Sequence, residues 1–384
     1  MMLDRRRSRN PIPFLMGVLV GLAFIGAFFF YSTDFKFGAT PTATLPPATP
    51  TPPSAKAHLE QALRLENDGR LDEALNEYQQ AIDIEPNNVD AYIAQARILT
   101  YRRNPEEAVR KAQKAVELNP QSAEGYSVLA VANDWNNDPD KAITYAQKAI
   151  DLDPKLAEAY AHLAEANADK FNIEEATEAV EKALSLDPNN ITAIRVAGYI
   201  HEIQAQYTQA AKEYARAVEL APNLPYLHLL YGNVLKATGD FEEAILRYQR
   251  AAELDPKDPR APAGIGSCYY ALEKPDKAEE YLKAALESDA NYAAALGQLA
   301  LVYYSQQRHA DAIPYFERAI EEEESTSKLA SYHHALGWSF LAEERFSQSK
   351  EQFTKALELD PKLQGAMDGL EAVKKAEAQE KTEP

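Results

Sequence analysis

Cysteine is nearly absent from this chain, and so are the other usual ingredients of catalytic and metal sites. The only cysteine among 384 residues is Cys268, which excludes an internal disulfide and a cysteine-based zinc or iron–sulfur centre. The seven histidines form no HExxH pattern, and no glycine-rich phosphate-binding loop is present. The run GIGSCY at 264–269 lacks the last glycine of a dinucleotide-binding loop. These absences predict a protein that is not an enzyme and that holds no metal ion and no cofactor.

Positive charge is also scarce. Lys and Arg together number 40 against 59 Asp and Glu, which gives a net charge of −19. Residues 1–54 hold five of the basic residues and two of the acids, so the remainder carries 35 basic and 57 acidic residues. A body this acidic repels phosphate backbones, and nucleic acid is therefore not expected as a partner.

Long hydrophobic runs are absent, with one exception near the N-terminus. Residues 12–31, IPFLMGVLVGLAFIGAFFFY, hold no charged side chain, and a run of about 20 apolar residues is long enough to cross a bilayer as a helix. The basic run RRRSR at 5–9 precedes it, and basic residues that flank a span tend to stay in the cytoplasm. We therefore expect a single-pass protein of the cell membrane. Residues 1–11 should be cytoplasmic and everything after Tyr31 extracytoplasmic.

Two alternatives stay open for this N-terminal region. A cleaved signal peptide would need a small-x-small site, and none precedes Ala39 or Ala43. Gly17 and Gly21 form a GxxxG pair, which suits a homodimer through the transmembrane helix as well as ordinary glycine within a span. Residues 32–54 are rich in proline and threonine, so they favour extended polyproline II and predict a stalk.

A motif that ends in a proline recurs along the rest of the chain with a period of 34 residues. AIDIEPNN stands at 81–88 and AVELNPQS at 115–122. Counting from Ala55 gives nine frames that end at Leu363, with three extra residues before the ninth frame. Within each frame, apolar and small residues recur at helical spacing in two segments. Places 8, 20 and 27 of the frame are small almost throughout. A fixed period of this size predicts stacked helix pairs rather than separate domains.

The sequence also predicts where several helices begin. NPEE at 104–107 and DFEE at 240–243 have the pattern of capping boxes, in which two side chains bond the free backbone N–H groups of the first turn. Proline fits the first helical position because its missing N–H would have no partner there. Three prolines are expected at that position: Pro105, Pro139 and Pro275.

The pattern of small and apolar places resembles the tetratricopeptide repeat (TPR) family over residues 55–363. The resemblance implies an all-α fold, an α-solenoid in which nine antiparallel helix pairs stack into a right-handed superhelix. Because one helix pair cannot bury its own apolar face, each repeat depends on its neighbours. Residues 364–384 are expected to form a capping helix and tail, with Met367, Leu370 and Val373 on the covering face.

In this family the first helix of each pair lines a concave surface, which directs attention to places 2, 5, 9, 12 and 13 of each frame. Repeats one to five contribute eight acids at these places, whereas repeats six to nine contribute none. Surfaces that combine aromatic and cationic residues are typical of protein-binding sites. The competing interpretation is that the aromatic side chains pack between helices. The predicted partner-binding residues are Tyr226, Asn233, Lys236, Arg260, Tyr270, Tyr304 and Trp338.

These observations predict a membrane-anchored TPR scaffold that binds a protein or peptide partner outside the cytoplasm. A solenoid that binds cell-wall carbohydrate through Trp135 and Trp338 is one alternative. An import receptor of the organelle type, with a cytosolic solenoid, is another. The family's clamp for a terminal carboxylate is not expected, because Asn233 matches one clamp place but Leu229 stands where a clamp lysine is needed.

Overall fold

The computed structural model describes residues 53–323 and 325–380, and these residues contain nineteen helices and no strand. The prediction of nine helix pairs and one C-terminal helix is confirmed. Each pair is formed by an odd-numbered helix and the even-numbered helix after it. In chain order the helices are α1 Ala55–Asn67, α2 Leu71–Ile84, α3 Val89–Tyr101, α4 Pro105–Leu118, α5 Ala123–Trp135, α6 Pro139–Leu152, α7 Ala157–Asp169, α8 Ile173–Leu186, α9 Ile191–Ile203, α10 Tyr207–Leu220, α11 Pro225–Thr238, α12 Phe241–Leu254, α13 Arg260–Ala271, α14 Pro275–Ser288, α15 Ala293–Ser305, α16 His309–Glu322, α17 Thr326–Ala342, α18 Phe346–Leu359 and α19 Gln364–Glu380.

The predicted membrane-spanning segment 12–31 and the N-terminal residues 1–11 lie outside the described residues, as does the stalk up to residue 52. Within the part of the chain that the structure describes, no helix is both long and apolar enough to cross a membrane.

Small residues at fixed places let the two helices of a repeat approach closely. The alanine at place 27 is buried in all nine repeats, from Ala81 to Ala356. At place 8, a Cβ atom added to Gly198 would lie 2.8 Å from the ring of Tyr214, which is fully buried. Gly264 of α13 lies under the ring of Tyr248 in the same way, at 2.6 Å. The glycines therefore provide room for aromatic side chains of the preceding or paired even-numbered helix.

The C-terminal helix α19 covers the last repeat, but its buried face differs in part from the predicted one. Val373 is buried, whereas Met367 is exposed. Ala366 and Gly369 are buried in its place, and a Cβ atom on Gly369 would overlap the ring of Phe353. Small residues form this face because the ring of Phe353 occupies the space that a methionine would need.

The predicted capping boxes are wrong, although the helices begin where they were expected. Neither Asn104 nor Asp240 accepts a hydrogen bond from its helix through the side chain. A carboxylate oxygen of Asp240 instead accepts from the hydroxyl of Thr238 at 2.8 Å. Asn104 has a ψ of 65°, short of the extended value usual for an N-cap. The predicted prolines at the first helical position are confirmed, and they are Pro105, Pro139 and Pro275.

Every repeat turns from its first to its second helix through one residue in the left-handed backbone conformation. This residue stands at place 15 of all nine frames, and only two of the nine are glycine. The left-handed conformation costs an L-residue roughly 1–2 kcal/mol because its Cβ approaches the backbone. The nine positions are Gly69, Arg103, Asn137, Phe171, Ala205, Gly239, Glu273, Gln307 and Glu344.

We predict that Phe171→Gly stabilises the protein. Phe171 has a φ of 60° and its side chain is 75% exposed, so the substitution relieves backbone strain and loses little packing. The free energy of unfolding should rise by about 0.5–1 kcal/mol, measured by chemical denaturation.

Two further variants test the cause of this change. Phe171→Ala removes the ring but keeps the backbone cost, so it should not stabilise. Gly239→Ala is the reverse exchange at the same place of another repeat, where open space surrounds the glycine. It should therefore destabilise by a similar amount. Equal stabilities of Phe171→Gly and Phe171→Ala would contradict the explanation.

The solenoid closes a turn on itself, which the sequence did not indicate. Tyr101 of the second repeat stacks on Tyr226 of the sixth, with ring centroids 4.3 Å apart and planes within 10°. The Arg102 guanidinium forms an ion pair with Asp255 at 2.8 Å. The side-chain amide of Asn223 donates to the backbone carbonyl of Asn67 at 3.2 Å. The inner surfaces of distant repeats therefore meet, and parts of the concave surface are buried.

Candidate partner-binding cavity

The odd-numbered helices of the later repeats enclose a cavity of about 660 Å³. Its walls come mainly from α11, α13, α15 and α17, together with residues near the ends of α3 and α5. We call it the basic cavity, because no carboxylate among the described residues lines it and four cationic side chains do. These four are Arg103, Lys236, Arg260 and Lys328.

Two of the four cations already have acidic partners. Arg260 donates from Nε to a carboxylate oxygen of Asp258 at 2.9 Å. Lys328 pairs with Glu323 at 3.0 Å. Lys236 differs, because no described carboxylate lies within ion-pair distance of its ammonium group. Partial burial lowers the pKa of Lys236, which means that the charged form lacks the solvation it would have in water.

Four of the seven predicted site residues line the basic cavity: Tyr226, Asn233, Lys236 and Arg260. Asn233 accepts a hydrogen bond from the Tyr248 hydroxyl at 2.7 Å through its carbonyl oxygen, and its two amide N–H groups remain as donors. Tyr226 differs from the expectation of an open surface. It is only 7% exposed, because one face of its ring is covered by Tyr101.

The other three predicted residues do not line this cavity. The ring of Tyr304 contacts His309 and Phe316, with centroid distances of 5.5 and 6.4 Å. Trp338 packs on Phe353 at 5.4 Å, edge to face. Tyr270 is half-buried against the core formed by helices α13 to α17. Their intramolecular contacts match the packing interpretation, and a role in partner binding stays a prediction for these three residues.

A second cavity, of about 600 Å³, lies among the earlier repeats and was not predicted. We call it the acidic cavity, since Asp134, Glu165 and Asp169 line it. Glu165 forms a buried ion pair with Arg195, whose two terminal nitrogens donate to the two carboxylate oxygens at 2.8 and 2.5 Å. The indole N–H of Trp135 also donates to Glu165, at 3.1 Å. The cationic partner on the next inner helix keeps the pKa of Glu165 low despite its burial.

Several of the inward acids noted in the sequence are paired in the same manner. Glu66 accepts from Arg97 at 2.8 Å, and Glu202 accepts from the Tyr214 hydroxyl at 3.0 Å. Arg97 and Arg195 stand at inward places of their own frames, one repeat after the acids they bind. An arginine at an inward place, one repeat after an inward acid, therefore predicts such an ion pair from the sequence. The acids alone do not show it.

Asp134 is the exception among these acids. Its side chain is 4% exposed, and neither carboxylate oxygen has a hydrogen-bond partner among the described residues. Burial, followed by the charges of Glu165 and Asp169, raises the pKa of Asp134 to about 9, while Arg195 opposes the shift. Asp134 therefore holds a proton at neutral pH when the cavity contains no cation.

This raised pKa predicts how stability depends on pH. The unfolded chain releases the proton of Asp134 near pH 4, whereas the folded chain keeps it up to about pH 9. The folded state binds more protons between these values, so this group makes the free energy of unfolding fall as pH rises from about 4 to about 9. Asp134→Asn should remove that loss and raise stability at pH 8 by roughly 2 kcal/mol or more.

Thermal unfolding of both proteins at pH 5 and pH 8 checks this expectation. The stabilisation by Asp134→Asn should be larger at pH 8 than at pH 5. Asp151→Asn, on the exposed side of α6, is the matched control and should change neither value. A loss of stability in Asp134→Asn at pH 8 would show that the carboxylate has a cationic partner in the folded state.

The helix pairs, their common turn and the cavities on the inner surface define a repeat solenoid. Models described as tetratricopeptide repeat or TPR repeat match residues 67–95, 93–157, 157–190, 201–265, 235–299 and 291–362. The chain therefore belongs to the tetratricopeptide repeat family. Proteins of this family bind protein or peptide partners.

Solved structures show the same fold. A chain from the crystal structure of the APC/C hetero-tetramer Cut9–Hcn1 superimposes with a TM-score of 0.68 at 18% identity, over 83% of this chain and 63% of that one. This chain thus spans less than two thirds of that neighbour. PilF of Pseudomonas aeruginosa matches with a TM-score of 0.50 at 20% identity, over 56% of this chain and 96% of its own.

A third structure, YrrB, described as a TPR protein with an unusual peptide-binding site, matches with a TM-score of 0.37 at 28% identity. The match covers 48% of this chain and 95% of YrrB. No curated protein sequence matches the chain.

Proposed function

We propose that this protein is a membrane-anchored scaffold that binds an acidic segment of a protein partner in the basic cavity, outside the cytoplasm. The observation that carries the proposal is the absence of any described carboxylate from the lining of this cavity, in a chain with a net charge of −19. No catalytic step is part of the proposal.

The chemistry of the lining favours an anionic ligand. The unpaired ammonium group of Lys236 is partly shielded from water, so a carboxylate that reached it would gain a charge-assisted hydrogen bond. Asn233 adds amide donors nearby, and the serine and glutamine side chains of the wall add further polar groups. Tyr226 and Tyr292 supply aromatic surface, which is typical of protein-binding sites. An acidic side chain or a chain terminus of the partner fits these groups.

The membrane part of the proposal rests on the sequence. The uncharged run 12–31 follows the basic run at 5–9, which favours a cytoplasmic N-terminus. The proline-rich residues 32–54 would hold the solenoid away from the membrane, so that the basic cavity can meet partners in the space outside the cytoplasm.

The carbohydrate alternative depends on Trp135 and Trp338 as stacking platforms for sugar rings. Trp135 donates to Glu165, and Trp338 packs on Phe353 while its indole N–H donates to His334 at 3.0 Å. Trp135 lines the two cavities but Trp338 lines neither, so the two rings do not form one stacking platform, which favours a protein ligand over a sugar.

Fusions to the full chain test the topology. We expect alkaline phosphatase fused after Pro384 to be active, because this enzyme folds only outside the cytoplasm. A fluorescent protein that folds only in the cytoplasm should stay dark at the same position. Moving the basic run from 5–9 to the other side of residues 12–31 should invert both results. An inactive phosphatase with a bright fluorescent fusion would support the cytosolic alternative instead.

Site-specific cross-linking in intact cells tests the cavity. A photoreactive residue in place of Gln298, which lines the basic cavity, should give a covalent adduct with a partner protein in the full-length chain. The same replacement at Gln147, on the exposed side of α6, is the matched control and should give none.

Charge reversal at Lys236 shows whether the adduct depends on the cavity's chemistry. Lys236→Glu should abolish the adduct at Gln298, because it removes a cation that has no acidic partner among the described residues and adds a repulsive charge. Circular dichroism should show an unchanged helical signal for this variant. An adduct that survives Lys236→Glu would contradict binding of an acidic segment at this site.

A further inference from the structure

The acidic cavity contains an ionisable group that the fold itself does not satisfy. Asp134 is 96% buried at the wall of this cavity, and both of its carboxylate oxygens lack a hydrogen-bond partner among the described residues. A buried carboxyl group without hydrogen bonds costs free energy that packing alone does not return. A ligand that entered the cavity and donated hydrogen bonds to Asp134 would offset this cost.

The two cations that line this cavity, Arg195 and Arg103, form no ion pair with Asp134 or Asp169. Arg195 uses both terminal nitrogens on Glu165, and its charge is neutralised there. The guanidinium of Arg103 lies 5.9 Å from the centre of the Trp135 ring, at the side that this cavity shares with the basic cavity. Asp134 and Asp169 are therefore left without a positive partner among the described residues.

A metal ion does not fit this wall. No group of three or more acidic, histidine or cysteine side chains among the described residues is arranged to hold one. The lining also contains Asn137 and the two arginines, and aromatic and apolar side chains surround the acids: Trp135, Tyr199, Tyr214 and Leu230. Aromatic rings beside carboxylates are the usual surroundings of organic cations in proteins.

We propose that the acidic cavity binds a positively charged organic group, a guanidinium or an alkylammonium, with Asp134 and Asp169 as its counter-ions. Two free oxygens on one carboxylate match the paired N–H donors of a guanidinium, and they also accept from an ammonium group. Asp169 accepts from the Tyr199 hydroxyl, which holds its carboxylate at the cavity wall. The ring of Trp135 provides an apolar surface for the alkyl part of the ligand.

The acidic cavity adjoins the basic cavity. Arg103, Trp135 and Leu230 line both the acidic and the basic cavity, so the two are neighbours along the inner surface. A single partner segment with a basic and an acidic side chain could occupy both. The inference itself stands on Asp134 and holds whether or not the basic cavity binds the proposed acidic segment.

Calorimetric titration of the full-length protein in detergent micelles tests the site. The probes are N-acetyl-arginine amide, N-acetyl-lysine amide, 1,5-diaminopentane, and a blocked tetrapeptide of glycines with one central arginine. At least one cationic probe should bind at pH 8, while N-acetyl-glutamine amide, which has no positive charge, should not. Tighter binding of the tetrapeptide than of the free amides would indicate a protein side chain as ligand. Tighter binding of the diamine would indicate a small free amine.

Substitutions then assign the binding to these residues. Asp134→Asn keeps the shape of the side chain, and it should weaken the cationic probes by at least about tenfold. Asp169→Asn is a second variant in the same cavity and should also weaken them. Asp151→Asn, on the exposed side of α6, should bind as the unaltered protein does. Lys236→Glu should not weaken the probes, which separates this site from the proposed function of the basic cavity.

The pH dependence provides a readout that a purely structural role would not give. Asp134 is faced by Glu165 and Asp169 on α7 and by Arg195 and Tyr199 on α9, with Arg103 and Tyr214 on the remaining wall. An entering cation must displace the proton of Asp134, so affinity for the arginine probe should rise from pH 6 to pH 9 with release of about one proton. Arginine itself does not titrate in this range.

Two results would overturn the proposal. One is the absence of binding by every cationic probe at pH 8 in a protein with its full helical circular-dichroism signal. The other is equal affinity of Asp134→Asn and the unaltered protein. Either result would mean that Asp134 is a buried, protonated acid without a ligand.

Discussion

The contact between Tyr101 and Tyr226 is the constraint on which the rest of this structure depends. Repeats that are far apart in sequence meet there, with ring centroids 4.3 Å apart, and the ion pair of Arg102 with Asp255 supports the same closure. In most solenoids each repeat contacts only its neighbours along the chain. Here the first turn closes on itself, so side chains that point toward the solenoid axis are removed from water. The interior of the turn thus becomes a low-dielectric space lined by polar groups.

Burial of this kind explains the pairing of the inner charges. An isolated charge is costly in a medium that solvates it poorly, so each inward acid needs a cation or a hydroxyl donor nearby. Glu165 has Arg195 and Trp135, and Glu202 has Tyr214. Asp134 has neither, so burial and the neighbouring acids raise its pKa to about 9. The two cavities have opposite chemistry because the inward acids end at the fifth repeat, while unpaired Lys236 follows in the sixth.

The fold could be predicted in detail because small and apolar residues recur at the same places in every repeat. Alanine at place 27 and small residues at places 8 and 20 are needed wherever two helices touch, and the structure buries all of the place-27 alanines. The capping boxes were predicted wrongly, because neither Asn104 nor Asp240 bonds the first turn of its helix. Each follows the left-handed turn residue at place 15, but so does Asp138, whose side chain does accept from the backbone N–H of Lys141. The left-handed turn could hardly be predicted from the sequence, because seven of the nine residues at this place are not glycine.

The candidate site was predicted only in part, and the reason is geometric. Places within a frame predict which residues point inward, and four of the seven named residues do line one cavity. They do not predict which inward residues come to lie beside one another across the axis. Which inward residues become neighbours depends on the rise and rotation from one repeat to the next, summed over four or five repeats. The sequence of one repeat does not predict this sum. The sequence by itself therefore determined the helices, their pairing and their buried small residues, because those follow from contacts within one period. Only the tertiary structure decided that Tyr101 covers Tyr226, that Arg195 neutralises Glu165 and that Asp134 has no hydrogen-bond partner among the described residues. These contacts depend on how the repeats are placed around the turn.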